Sequence, residues 1–158
     1  MTDMTAEELL ELYAAGERDF SGINLEEANL SGANLSKANF SRANLLGADL
    51  SEANLSRANL SYAKLSLCRF IGTNLEGAKV TDADIVGASL ENVNLKGAIG
   101  NFGHAHGALF QNTILPNGEI IAVLNCIEYK AFVGAQQCCA LLCIASKREP
   151  LYRRSRDY

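Results

Sequence analysis

Residues 28–65 read ANLSGANLSKANFSRANLLGADLSEANLSRANLSYAKL, and the pattern of this stretch extends over most of the chain. A large apolar residue occupies every fifth position, and a small residue, usually alanine, stands two positions before it. A polar residue, most often asparagine, lies between the two. The large apolar positions are Phe20, Leu25, Leu30, Leu35, Phe40, Leu45, Leu50, Leu55, Leu60, Leu65, Phe70, Leu75, Val80, Ile85, Leu90 and Leu95.

The unit Ala53–Arg57 shows what this period implies for the backbone. Its first three residues alternate small apolar, polar and large apolar, which is the inward, outward, inward order of an extended segment. The next two positions, commonly serine followed by Gly, Lys, Arg or Glu, are polar turn formers that bend the chain. Apolar residues recur about every 3.6 positions in a helix and about every second position in a flat strand, so neither fits. The repeat therefore predicts an all-β solenoid lined with alanine and leucine.

The unit resembles the consensus A-(N/D)-L-x-x of the pentapeptide-repeat family, over about 100 of the 158 residues. The opening stretch Tyr13–Phe20, YAAGERDF, looks like the N-terminal entry of cyanobacterial members. The resemblance implies four units per coil and a right-handed quadrilateral β-helix. It also implies that residues 20 positions apart are stacked neighbours, so Asp49 is expected beside Arg69, and Tyr62 is expected between Arg42 and Asp82.

The repeat keeps its frame beyond Leu95 although its residues become less regular. Gly100 and Ala105 occupy positions where a large core side chain is expected, and Phe110 and Leu115 then restore the pattern. Positions 20 to 115 in steps of five make twenty units, hence five coils, and a tower about 24 Å tall at the spacing of paired strands. We expect residues 99–107 to be distorted. Residues 116–118, Pro-Asn-Gly, predict a turn that ends the coil.

Both ends of the solenoid require a cover, and the sequence divides accordingly into residues 1–18, 19–118 and 119–158. Thr5 and Glu8 have the spacing of a capping box, which predicts a short helix to Gly16. Its apolar stripe is expected to dock on the first coil. The stripe comprises Leu9, Leu10, Leu12 and Tyr13.

Residues 119–158 follow no repeat and are expected to cap the last coil. Residues 119–125 predict a last strand and residues 132–146 a helix. Residues 147–158 are a polar, basic tail and a candidate for disorder.

The charge balance does not indicate a polyanion-binding surface. The formal net charge is -4, with 14 acidic against 8 basic residues in positions 1–118, and 4 against 6 in positions 119–158. The N-terminus lacks the basic and apolar regions of a secretory signal, and no apolar run reaches the roughly 18 residues of a membrane span. These features predict a cytoplasmic protein with no membrane contact and no direct nucleic-acid binding. The five cysteines are then expected to remain thiols.

The sequence contains no constellation typical of an enzyme, a cofactor site or a metal centre. His104 and His106 are the only histidines and do not complete a metal site. The cysteines lack zinc-site spacing, so Cys138, Cys139 and Cys143 are interpreted as small buried apolar residues. Acidic side chains fall at outward or turn positions, where carboxylates are normally solvated. No catalytic, cofactor-binding or metal-binding residue is therefore predicted. The acidic positions considered are Asp49, Glu52, Glu76, Asp82, Asp84 and Glu91.

Apolar residues at turn positions are the one unexpected surface feature. Leu46, Leu67 and Val86 are expected at one corner of the tower, Ile71 at the next corner, and Arg69 between them. A contiguous apolar patch on a protein surface usually marks a contact. Two interpretations remain open: the segment Ile120–Ala145 folds back over the patch, or a partner protein binds there.

These observations favour a non-enzymatic scaffold for protein–protein interaction, with an unidentified protein partner. The family resemblance suggests an alternative, since some members mimic B-DNA and bind DNA gyrase. Those members look longer and more acidic and dimerise through a C-terminal element. The chain is accordingly expected to be a monomer or a dimer formed by its C-terminal segment.

Overall fold

A computed structural model describes residues 3–125 of the chain. Its main feature is a series of parallel bridges between residues 20 positions apart, beginning at Asp19 with Asn39 and ending at Asn94 with Ile114. Four five-residue units therefore close one turn, which confirms the four-sided β-helix. The regular elements are the helix α1 (Ala6–Ala14) and the strands β1 (Ser89–Glu91), β2 (Leu109–Ile114) and β3 (Ile120–Asn125).

Each unit is joined to the next coil through its backbone and bends through a tight turn. The Leu55 N–H donates to the Asn74 carbonyl at 2.8 Å, and the Asn74 N–H donates back to the Ala53 carbonyl at 3.0 Å. Within the unit, the Ala58 N–H closes a turn on the Leu55 carbonyl at 3.0 Å. The second central residue of that turn, Arg57, has φ of 59°, as a type II turn requires. The same positive φ recurs at the equivalent residue of the corners from Gly22 to Gly97, and many of these corners carry glycine for this reason.

The core is a stack of leucine, phenylalanine and alanine side chains that fill the interior of the tower. The large residues predicted from the fivefold period are all buried from Phe20 to Leu95, each with at most 3% exposure. Phe20 and Phe40 stack with ring centroids 5.6 Å apart. Burial of this continuous apolar column, rather than long regular strands, provides most of the stabilisation.

Helix α1 covers the first coil, but fewer of its apolar residues contact the coil than its sequence predicts. Its capping box is confirmed, since the Thr5 hydroxyl accepts from the Glu8 N–H at 3.2 Å and the Glu8 carboxylate accepts from the Thr5 N–H at 2.8 Å. Leu9 is fully buried, whereas Leu10 and Leu12 are exposed, so their predicted docking on the first coil is wrong. A short helix lying on a small coil end contacts it along a single line of residues, and the neighbouring positions turn away.

The distortion predicted for residues 99–107 is confined to a shorter stretch. Ile99 and His104 keep their bridges to the preceding coil, so the frame is maintained. Gly100 does not occupy a core position as expected, because the chain there runs against Thr81 with φ of 96°. Phe102 turns inward instead, is 3% exposed, and contacts Phe110 with ring centroids 6.4 Å apart. The core vacancy left by Gly100 is thus filled from two residues further along.

The last coil ends in a three-stranded sheet ordered β1-β2-β3. β2 pairs in parallel with β1 of the preceding coil and antiparallel with β3, with Leu109 opposite Asn125. The predicted turn at residues 116–118 is confirmed, because the Gly118 N–H donates to the Leu115 carbonyl at 2.8 Å. β3 matches the predicted last strand. The predicted helix at 132–146 and the tail at 147–158 lie outside the described residues.

Leu55→Ala tests the assignment of inward and outward positions. Leu55 is 1% exposed within the stack, so its truncation is expected to lower the free energy of unfolding by about 2 to 5 kcal/mol. Arg57→Ala in the same unit is the control and is expected to change it by less than about 1 kcal/mol. Chemical denaturation monitored by circular dichroism measures both, and equal effects would contradict the assignment.

Gly100→Ala tests the close approach that redirects Phe102. A Cβ at Gly100 would lie 2.9 Å from the Thr81 Cα, in a backbone conformation that already disfavours a side chain. We expect a loss of about 2 to 4 kcal/mol, which combines overpacking with left-handed strain. Gly32→Ala is the matched control, because its φ is also positive but nothing lies within 4 Å of the added Cβ. A loss at Gly100 no larger than at Gly32 would show that the Thr81 contact imposes no constraint.

Candidate functional site

The structure places three of the predicted surface residues along one corner of the tower. We call Leu46, Leu67 and Val86 the edge strip. The corner residues are stacked through the backbone, since the Leu67 N–H donates to the Val86 carbonyl at 2.8 Å and the Gly47 N–H to the Ser66 carbonyl at 2.9 Å. Leu46 and Val86 are half-buried, and Leu67 is 62% exposed. The edge strip thus runs parallel to the tower axis over three successive coils.

Leu67 is the most prominent residue of the edge strip. Its φ is 61°, a conformation that a bulky side chain rarely adopts and that glycine takes at neighbouring turns of the same corner. Its side chain lies over Gly87, where an added Cβ would be only 2.8 Å from the Leu67 Cδ2. The positive φ is shared by other corner residues such as Arg57, so Leu67 is distinguished by its large, exposed apolar side chain. Such a side chain is a reason to consider a role in binding.

Ile71 and Arg69 lie beside the edge strip, as predicted. Ile71 is half-buried at the next corner, where its carbonyl accepts from the Glu52 N–H at 2.7 Å. Arg69 lies between the corners and forms an ion pair with Asp49 at 3.3 Å, which confirms that predicted neighbour. The pKa of Asp49 is lowered mainly by hydrogen bonding to Ser51, and further by Arg69. An exposed pair of this kind contributes little to stability.

Two further exposed residues, Tyr62 and Ile99, were not predicted as contact residues, although Tyr62 was predicted as a stacked neighbour of Arg42. Tyr62 is 54% exposed with φ of 61°, and the Arg42 guanidinium lies 5.9 Å from its ring centroid. This contact confirms the predicted neighbours Arg42 and Tyr62. Ile99, 58% exposed, occupies an outward position usually held by asparagine. Both could have been found by asking which outward or turn positions depart from the repeat.

Asparagine side chains form ladders along three faces of the tower. The Asn54 amide donates to the Asn34 side-chain oxygen at 3.1 Å, and Asn94 donates to Asn74 at 3.2 Å. The same oxygens accept backbone N–H groups two residues further on, as Asn54 does from Ser56 at 3.1 Å. The asparagines therefore support the backbone, as their repetition predicted. Two ladders begin on aspartates: Asp19 accepts from Asn39, and Asp3 accepts from Asn24, both at 2.8 Å.

The middle positions of the four faces carry balanced charge. Three acidic and three basic residues occupy the outward positions of bridged segments between residues 19 and 114, and most of the others are asparagines. No face is therefore a continuous row of carboxylates. The charged members are Asp19, Asp49, Asp84, Lys64, Arg69 and Lys79.

Residues 3–125 show no arrangement suited to metal binding. Within that range, no three His, Cys, Asp or Glu side chains are close enough to hold an ion. His104 is exposed next to Asp84 in the preceding coil, and His106 is exposed at the corner that carries the edge strip. An open cavity of about 530 Å³ lies at helix α1. No helix of the described part of the chain is long and apolar enough to cross a membrane.

Cys68 is a buried thiol that replaces one of the inward alanines. Its Sγ donates to the Leu45 carbonyl at 2.8 Å, and the Thr73 hydroxyl makes the equivalent bond to the Leu50 carbonyl at 2.7 Å. Burial raises the pKa of the Cys68 thiol to about 12. A thiol that stays protonated is a poor nucleophile, so Cys68 has a packing role. The other four cysteines lie outside the described residues.

Comparison with known proteins identifies the repeat and its structural relatives. The family model for pentapeptide repeats matches residues 19–57 and 53–92. The pentapeptide repeat protein alr5209 from Nostoc PCC 7120 is 35% identical, with a TM-score of 0.58, over 60% of this chain and 78% of that one. HetL from Nostoc sp. PCC 7120, a pentapeptide repeat protein involved in heterocyst differentiation regulation, is 33% identical, with a TM-score of 0.53. That match covers 70% of this chain and 46% of HetL.

A more distant structure shares the fold alone. QnrB1, a plasmid-mediated fluoroquinolone resistance protein, is 19% identical, with a TM-score of 0.50, over 61% of this chain and 51% of that one. The comparison with curated protein sequences gave no significant match.

The protection of Cys68 is tested by its reactivity with a maleimide. Because its pKa is raised to about 12, Cys68 is expected to remain unlabelled at pH 8 in the folded protein and to react after denaturation. Peptide mapping by mass spectrometry distinguishes it from the other cysteines. The variant Cys68→Ser is expected to keep most of the stability, since its hydroxyl can make the bond that Thr73 makes. Rapid labelling of Cys68 in the folded chain would contradict its burial.

Proposed function

Because this chain belongs to the pentapeptide-repeat family, we propose that it is a non-enzymatic scaffold that binds a protein partner through the edge strip and its neighbours Arg69 and Ile71. The observation that carries the proposal is the exposure of Leu67, a large apolar side chain that is 62% exposed at a corner of the tower. Polar residues or glycine would suit that turn better in the free protein. Contact with a partner would give the apolar side chain a favourable environment.

The stacked core makes the tower a rigid support for such a contact. Leu46 and Val86 belong to coils that are hydrogen-bonded to the coil of Leu67 through the corner backbone, so their relative positions are fixed. A preorganised surface loses little conformational entropy on binding. The partner surface expected here is apolar at its centre, with polar groups facing Arg69 and Asp49.

The alternative function, DNA mimicry with binding to DNA gyrase, is less well supported by the surface. A mimic of B-DNA requires rows of negative charge along its faces. The outward positions here carry three acidic and three basic residues, and one face is a ladder of neutral asparagines from Asn34 to Asn94. The likeness to QnrB1 supports the shared fold and does not extend to its activity. A gyrase supercoiling assay separates the two functions, and inhibition or protection at micromolar protein would favour the alternative.

The double substitution Leu46→Ser with Leu67→Ser tests the proposed contact. The full chain serves as bait in a lysate of its native host, and the bound proteins are quantified by mass spectrometry. We expect specific partners to be lost from the double variant, because the apolar centre of the contact is removed, while the melting temperature changes little. The control is Arg57→Ser with Glu76→Ser, which alters exposed residues at the diagonally opposite corner. Identical sets of bound proteins for both variants would contradict the proposal.

A further inference from the structure

We infer that in the absence of a partner the edge strip is covered by residues 126–158 of the same chain. The apolar run 131–145 would lie on Leu46, Leu67 and Val86, and the basic end would lie against Glu26 and Glu27. The inference rests on the proposed function, because it concerns the same surface. It adds that a segment of the chain itself competes with the partner for that surface.

The direction of β3 brings the chain to the end of the edge strip that is nearest the last coil. β3 pairs with the edge of β2 that faces away from β1. It runs antiparallel to β2, which brings Asn125 opposite Leu109. Leu109 comes two residues after the corner that carries the edge strip, since the Gly87 N–H donates to the His106 carbonyl at 2.9 Å. The segment that follows Asn125 therefore starts next to this corner rather than at one of the other three.

The distances are short relative to the length of the segment. The edge strip spans three coils, and the full corner from the last coil to the first spans roughly 19 Å at the spacing of paired strands. A fifteen-residue helix, as predicted for 132–146, is about 22 Å long. The segment of 33 residues after Asn125 is therefore long enough to follow the whole corner.

The order of chemical groups along the corner matches the order along the segment. From the last coil toward the first, the corner presents His106, then the edge strip, and finally the exposed pair Glu26 and Glu27. From Asn125 onward, the segment presents the apolar run AFVGAQQCCALLCIA at 131–145, followed by a stretch with five Lys or Arg. Apolar residues thus meet apolar residues, and basic residues meet acidic ones, when the segment runs along the corner.

The net charges of the two parts are also complementary. Residues 1–125 contain 15 acidic and 8 basic residues, whereas residues 126–158 contain 3 acidic and 6 basic residues. Attraction between them is screened by salt when the groups are exposed. A partner that binds the edge strip would have to displace the segment, and its apparent affinity would be reduced by that competition.

Cross-linking through the native cysteines of the segment tests this arrangement. In the purified full chain, Leu67→Cys would place a thiol on the edge strip, within reach of Cys138, Cys139 or Cys143 if the segment lies there. A short bismaleimide is applied at low protein concentration, and linked peptides are identified by mass spectrometry. We expect intrachain links between position 67 and the 131–145 run, and the same result with Leu46→Cys. The buried Cys68 is not expected to interfere.

Arg57→Cys is the matched control, because Arg57 is exposed with φ of 59° at the diagonally opposite corner. It is expected to give several-fold fewer links to the same peptides. Glu26→Lys with Glu27→Lys is expected to lower the yield from position 67 at low ionic strength, whereas Glu52→Lys with Glu76→Lys is not. Equal yields from positions 57 and 67, or links only between chains, would overturn the inference. The purified chain contains no partner, so neither of these results would contradict the proposed function. The experiment with the host lysate tests that function separately.

Discussion

The backbone hydrogen bonds between successive coils are the interactions on which the rest of this structure depends. They are geometrically possible only if each five-residue unit bends by a quarter turn, so that the chain returns above its starting point after 20 residues. That closure decides which side chains point inward, and the inward positions are consequently held by aliphatic residues, phenylalanine, alanine and a few small residues, such as Thr73, that bond to buried carbonyls. Folding and packing thus determine the interior completely.

The outward positions are under much weaker constraint, and this is where a function can be encoded. Asparagine satisfies the local backbone and is the default at the middle of each face. At the corners, Leu67 and Tyr62 stand out, because each places a bulky, exposed side chain at a position where glycine or a polar residue is usual. A residue that is unfavourable for the isolated tower is better explained by what the tower contacts. The rigid coil fixes the positions of these side chains before a partner binds, so little conformational entropy is lost on binding.

Much of the fold was predictable because the period is local and uninterrupted. The stacking of Asp49 on Arg69 followed from four units per coil, a number that the family resemblance implied and the period alone does not. The entry of Phe102 into the core was not predictable, because it depends on the approach of Gly100 to a residue in the preceding coil. The exposure of Leu10 was also missed, since the number of helix residues that reach the coil end is a matter of tertiary geometry. The position of the edge strip could be predicted from spacing, whereas the exposure of Leu67 and the partial burial of Leu46 and Val86 required coordinates.

The asparagine ladders also give the tower a direction. Every amide in them donates toward the N-terminal coil, so their side-chain dipoles point the same way and add rather than cancel. Two of the three ladders end at a carboxylate, Asp3 or Asp19, which accepts the amide hydrogen bond and cannot donate another, whereas the third ends at Asn34. These two ladders therefore cannot continue beyond the N-terminal end of the tower. Growth of the β-helix by additional coils, whether by gene duplication or by design, is for this reason more readily accommodated within the tower or at its C-terminal end.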